Sequence, residues 1–154
     1  MMSFWSILIW NAILHMNVPA GGIDLDYVRS NYNKAVANKN LCARMIEDLK
    51  PVKSEPLYLA YLGGLQAIWA NHVVNPIAKL NTFREGRKNI EKAVLKEPNN
   101  VEVRFIRFSI KKNAPFFLGY YSNIKSDKDF LKMHRNEITS RTVLKNIDEA
   151  LKDF

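Results

Sequence analysis

Cysteine is almost missing from this chain of 154 residues: Cys42 stands alone. One thiol cannot close an internal disulfide, and it has no partner at ligand spacing, so a disulfide scaffold and a cysteine-pair zinc site are both excluded. Cys42 lies within an apolar helical pattern and reads as a small core residue. Histidine is nearly as scarce. His15, His72 and His134 are far apart in sequence, and neither a metal site nor a cofactor is expected from them. None of the six glycines belongs to a Gly-x-Ser-x-Gly turn, a phosphate-binding loop or a dinucleotide fingerprint. Asn-Gly hairpin signals are absent too. Nothing here assembles a catalytic constellation, and no enzyme is expected.

Charge is present but unevenly placed. The formal net charge is +8 and the isoelectric point is near 9.6, which favours acidic partners such as nucleic acid, an anionic membrane surface or an acidic protein. No block of like charge reaches five residues. A basic nucleic-acid tail is therefore excluded, and the dispersed charge argues against nucleic acid as the partner. No charged residue occurs between Glu55 and Lys79. An apolar content of 47% in 154 residues is enough for one domain with a genuine core.

The N-terminus needs separate treatment. Phe4 to Leu14 is an uncharged apolar run, too short to span a bilayer comfortably, and Val18-Pro19-Ala20 comes after it with small residues. This layout reads residues 1–20 as a signal peptide and 21–154 as the mature helical domain, exported to the periplasm or cell envelope. Met1-Met2-Ser3 departs from the pattern in carrying no lysine or arginine. The competing readings are a first helix burying Trp5, Ile9 and Ile13, or a membrane anchor, in which case the chain is cytoplasmic.

The remainder of the chain reads as helix throughout. Asp24 or Asp26 begins the first, with Tyr27, Val28, Tyr32, Ala35 and Val36 as its apolar face. A second covers Leu41–Leu49 and stops at Pro51. The third runs from Pro56 through an almost uniformly apolar stretch to Val74, and Ala60, Gly63, Gly64 and Ala67 offer a region where another helix can approach closely. Asn75-Pro76 opens a fourth, ending near Lys96, with Ile77, Leu80, Phe83, Ile90, Ala93 and Val94 inward and Arg84, Glu85, Lys88, Glu91 and Lys92 on its solvated side. The fifth, Val101–Lys112, is apolar on two opposed faces and must pack on both. Alternating aromatic and β-branched residues make a strand its rival there. After a short turn at Phe116–Tyr120, Ser126 is expected to cap a helix burying Phe130, Leu131 and Met133. A last helix from Thr139 or Ser140 buries Val143, Leu144, Ile147, Leu151 and Phe154.

One strip invites a functional reading. Arg104, Arg107 and Lys111 fall on one side of the fifth helix, between its two apolar faces. In a helical array such a strip lines an exposed groove and, with Tyr120 and Tyr121 nearby, binds a carboxylate, phosphate or acidic peptide through charge-assisted hydrogen bonds. The structural alternative is that Arg104 or Arg107 pairs with an acid further along the chain, Asp127 or Asp129. Phe116, Phe117, Tyr120 and Tyr121 are expected in the core rather than as a base-stacking platform.

Two resemblances bear on the fold. Leu62-Gly63, then Gly86, Ile90 and Ala93 leading to Glu97-Pro98-Asn99-Asn100, resembles a tetratricopeptide repeat over Ser54 to Lys112. Gly63 and Gly86 stand about 11 residues further apart than that pattern expects, close to three extra helical turns. The pattern Glu102-x-Arg104-x-x-Arg107, Asn113-x-Pro115-x-x-Leu118-x-Tyr120, Asp127-Lys128 is similar to a family of small exported Bacteroidetes proteins without an assigned activity. Together they imply an all-α fold of antiparallel helix pairs in a short right-handed, tetratricopeptide-like array. The function expected is a non-enzymatic interaction module of the cell envelope binding an acidic peptide or protein segment. A cytoplasmic nucleic-acid-binding domain and an enzyme accessory protein are the alternatives.

Overall fold

The computed structural model describes residues 23–152; the signal-peptide reading of residues 1–20 and the burial of Phe154 lie outside the described residues. The fold is all-α. Seven α-helices succeed one another among the described residues: α1 (Leu25–Asn31), α2 (Lys39–Leu49), α3 (Pro56–Trp69), α4 (Pro76–Lys96), α5 (Val101–Asn113), α6 (Ile124–His134) and α7 (Arg141–Lys152). Single 3₁₀ turns extend or join them at Asn33–Val36, Lys50–Val52, Ala70–His72, Phe116–Leu118 and Arg135–Glu137, and there is no strand among the described residues. None of these helices is long and apolar enough to cross a membrane.

The starts of four helices are fixed by side chains that take up orphan backbone N–H groups. Asp24 accepts from Asp26 N, Asn38 from Leu41 N, Asn75 from Ile77 N and Ala78 N, and Asn100 from Val103 N. Pro56 and Pro76 each occupy a first helical turn, where their missing N–H costs nothing. Expectation and structure part at α6. It begins at Ile124 directly after Asn123, which adopts the left-handed conformation at a φ of 58°, so Ser126 lies inside the first turn rather than capping it. The register consequently turns Met133 to solvent at 76% exposure, while Leu131 is fully buried.

α3 is the central helix, buried almost all round. α4 runs antiparallel to it at very close range. A Cβ built on Gly63 would sit 2.6 Å from Gly86 O, and one on Gly86 would sit 2.7 Å from Ala67 N. Only glycine permits that separation at the two contact points. Asn89 Nδ2 donates to Gln66 Oε1 at 2.7 Å beside them, satisfying the polar pair that interrupts the apolar surface. On its other side α3 packs against α5 in the parallel sense, Tyr61 pairing with Glu102 and Gly64 lying against Ile106. α5 is a helix and not a strand, and both its apolar faces are buried: Val101, Phe105 and Phe108 on one, Val103, Ile106 and Ile110 on the other.

A buried ionic knot ties three of these helices. Glu102 is nearly inaccessible, and Arg29 of α1 meets it with both Nε and Nη2, at 2.8 and 2.7 Å, while the Tyr61 hydroxyl donates to it at 2.5 Å. The Glu102 hydrogen bond pushes the Arg29 guanidinium up, against the opposing effect of burial. Burial and the neighbouring Glu102 charge push the Tyr61 phenol well up. Cys42 is buried and its thiol donates to Leu65 O at 3.4 Å, in keeping with a core role.

Candidate functional site

Along α5, Arg104, Arg107 and Lys111 recur at spacings of three and four, which places all three on one stripe. α6 returns antiparallel over that stripe and delivers Asp127, whose exposure is 0%. The three cations converge on it. Arg104 Nε donates to Asp127 Oδ1 at 2.5 Å, and Arg107 donates through Nε to Oδ2 at 2.8 Å and through Nη2 to Oδ1 at 2.7 Å. Lys111 Nζ stands 3.7 Å from Oδ2. Of the two roles open to Arg104 and Arg107, the ion pair with Asp127 is thus present. Asp129 is exposed and pairs instead with Lys125 within α6.

Each cation has further partners that fix its direction. Arg104 donates to Pro98 O at 3.1 Å and lies over the Phe130 ring at 4.3 Å. Arg107 Nη1 donates to Glu91 Oε2 at 3.1 Å, and the Tyr120 hydroxyl donates to the other oxygen of Glu91 at 2.7 Å. Lys111 Nζ donates to Ser122 O at 2.9 Å. Burial works against the Arg107 charge, but the hydrogen bonds and charge of Asp127 outweigh it and hold the guanidinium up. Lys111 goes the other way: burial, then the Arg107 charge, lower its ammonium. Burial and Glu91 together push the Tyr120 phenol well up.

In front of this cluster opens a polar cleft of about 480 Å³. Arg87 and Glu91 of α4 form one wall, Arg107 and Lys111 of α5 another, and Tyr120, Ser122, Asn123 and Ser126 close the remainder. Arg87 is exposed, and its guanidinium lies 4.9 Å from the centre of the Tyr120 ring. Unlike Arg104 and Arg107, it forms no ion pair with any carboxylate among the described residues. The first turn of α6 starts at the same edge without a capping side chain, so its amide dipoles add positive potential there. Around the cleft and its wall, Arg87, Arg104, Arg107 and Lys111 stand against Glu91 and Asp127, four cations against two acids. Chemically, the arrangement can hold an anion. It offers a donor fork and a hydroxyl-lined pocket but no nucleophile paired with a base.

Of the five residues singled out from the sequence, Arg107, Lys111 and Tyr120 line this cleft. Arg104 does not; it sits behind Asp127 on the Phe130 side. Tyr121 also stands outside it, 47% exposed, with its ring 6.3 Å from that of Phe116. The aromatic segment is not all core: Tyr120 is buried, whereas Phe116 and Phe117 are each 84% exposed. The sequence reading missed Arg87 and placed Glu91 on the solvated face of α4. The available signal was the position of both on the stripe that continues from Phe83 at spacings of four. Among the described residues, no three His, Cys, Asp or Glu side chains come together as a metal site. Compared with known protein families, with curated proteins and with solved structures, the chain matches none.

Proposed function

We propose that this protein is a non-catalytic interaction module whose cleft between α4, α5 and the start of α6 takes a carboxylate side chain of an acidic peptide or protein segment. The observation that carries this reading is Arg87. Its guanidinium is held against the Tyr120 ring at the mouth of the cleft, and no acid among the described residues neutralises it. Stacking on an aromatic face orients the donor fork without consuming its hydrogen bonds, which lowers the entropy cost of meeting a carboxylate. Behind it, the Asp127 cluster keeps the remaining cations fixed and leaves the rim with an excess of positive charge. The role belongs, on this proposal, to the cell envelope, as the apolar segment Phe4–Leu14 and the small residues after it suggest. The antiparallel α3–α4 pair, with α5 parallel to α3, supports a tetratricopeptide-like array as the scaffold.

The test is a calorimetric titration of acetylated hexaglutamate into the full chain at low salt, with hexalysine as control. Hexaglutamate is expected to bind with an affinity that falls as salt is raised. Arg87→Glu is expected to weaken it at least tenfold while leaving the melting temperature within a degree or two, because Arg87 makes no fixed ion pair to lose. Equal affinity in the wild type and in Arg87→Glu contradicts the proposal. A double-stranded or single-stranded oligonucleotide binding more tightly than hexaglutamate at physiological salt favours the nucleic-acid reading instead.

A further inference from the structure

We propose that the segment recognised at the cleft also carries a bulky apolar side chain, seated in a second cavity one helical turn away on the same face of α4; this rests on the anion-binding reading above. The second cavity is an open groove of about 600 Å³. Its floor is made by buried apolar surface from Tyr32, Ala67, Ile68, Phe83 and Ile110, and its rim by Val36 and Phe117, exposed at 53% and 84%. Floor residues so nearly covered, with large apolar side chains left standing at the edge, form a seat for one or two aliphatic or aromatic groups.

The two cavities adjoin along α4. Pro76, Lys79, Leu80 and Phe83 of α4 line the groove, and Arg87 and Glu91 continue the same stripe into the cleft. Ile110 and Asn113 of α5 face the groove, whereas Arg107 and Lys111 face the cleft, and the connection after α5 passes from Phe117 and Leu118 to Tyr120 and Ser122 in the same sense. Phe83 of the groove and Tyr120 of the cleft meet edge to face at 6.0 Å, and this buried pair forms the partition between the two cavities. From Pro76 to Glu91 the helix advances about 23 Å. That is the reach of about six or seven extended residues at roughly 3.3 Å each, so a peptide fits where a single small anion would fill only one end.

Charge selects the kind of peptide. Lys79 is the sole charged side chain on the groove, and its ammonium makes no hydrogen bond or ion pair among the described residues. In the cleft Glu91 is already engaged by Arg107 and Tyr120. The two cavities therefore offer a ligand cations and apolar surface, and no free carboxylate. A basic segment meets Lys79 in the groove and Arg87 in the cleft, like charges at both ends. An acidic one with an apolar anchor is complementary at both ends, and its anchor supplies most of the affinity while the carboxylates set orientation.

The probe is a heptapeptide with leucine and phenylalanine at one end and three aspartates at the other, compared with the same peptide bearing two serines in place of the apolar pair. Both are titrated into the full chain beside hexaglutamate. The apolar-acidic peptide is expected to bind at least tenfold more tightly than the serine version. Ala114 also lines the groove; Ala114→Trp, which fills it, and Phe117→Asp, which alters an exposed rim residue, are each expected to abolish that preference and leave hexaglutamate affinity within twofold. Equal affinity for the two heptapeptides, or an unchanged preference in both variants, overturns this inference while the cleft stands. Self-association of the wild type that Ala114→Trp removes also overturns it, because the groove is then filled by a second copy of the chain. Failure of hexaglutamate itself to bind removes the cleft first, and the same titration set distinguishes that case.

Discussion

Asp127 accepts from Arg104 and Arg107 with no contact to solvent, and that arrangement sets the consequences of altering any member. A buried charge that loses its counter-charge is not rehydrated. Asp127→Asn is expected to destabilise the fold by about 3–5 kcal/mol, read as a fall in the denaturant midpoint, because two guanidiniums then share a neutral amide. Arg107→Glu belongs to the same class, since it sets three carboxylates together. Arg87→Glu does not. The phenols give a second prediction at this scale. Burial raises Tyr32 and Tyr120, and burial with Glu102 raises Tyr61, while burial pushes the Cys42 thiol up to about 11. A raised folded-state pKa contributes stability that is complete below the unfolded value and lost above it. The melting temperature should therefore begin to fall near pH 9, from Cys42, and more steeply above about pH 10, from the three tyrosines. Lys111, lowered by burial, acts in the opposite sense but is one group against four. A melting temperature that stays flat or rises between about pH 9 and 11 would count against these burials.

The helices were largely legible in the sequence because their ends are written in local chemistry. Asn75-Pro76 marks the start of α4, and the pair Asn99-Asn100 marks that of α5, where Asn100 is the one that caps, since an Asn side chain satisfies backbone N–H groups where the chain enters a helix. The small residues of α3 likewise announced a close neighbour, although not which glycine would meet it. A substitution measures that contact. Gly86→Ala puts a methyl against the backbone of α3, where neither partner is a flexible side chain that could move aside. A loss of about 1–3 kcal/mol is expected, and an unchanged denaturation midpoint would mean that the two helices separate at no cost. Less legible was whatever depends on elements distant in sequence. Ser126 resembles a cap in isolation, but Asn123 in the left-handed region starts α6 one turn earlier and turns Met133 outward. Ile77 fits the inward pattern of α4 yet is 73% exposed, because α3 has already ended and only the short turn Ala70–His72 stands opposite. Arg87 was hidden for the same reason: an exposed arginine four residues before Glu91 looks like a solvated pair, and the ring it rests on arrives 33 residues later.

At the scale of the molecule, the net charge of +8 is spread thinly in sequence but not in function. Arg29, Arg104, Arg107 and Arg135 are each bound to acids inside or at the edge of the fold. Arg87 at the cleft and Lys79 at the groove have no acid partner among the described residues. That division between cations that hold the fold and cations that face outward is the central claim. It is tested most directly by following the amide and guanidinium resonances of nitrogen-labelled full-length protein as hexaglutamate is added. The account predicts shifts confined to the cleft residues Arg87, Glu91, Arg107, Lys111, Tyr120, Ser122, Asn123 and Ser126, with the surface lysines of α2 and α7 unmoved. Shifts spread evenly over the exposed lysines, with Arg87 no more affected than they are, would contradict it.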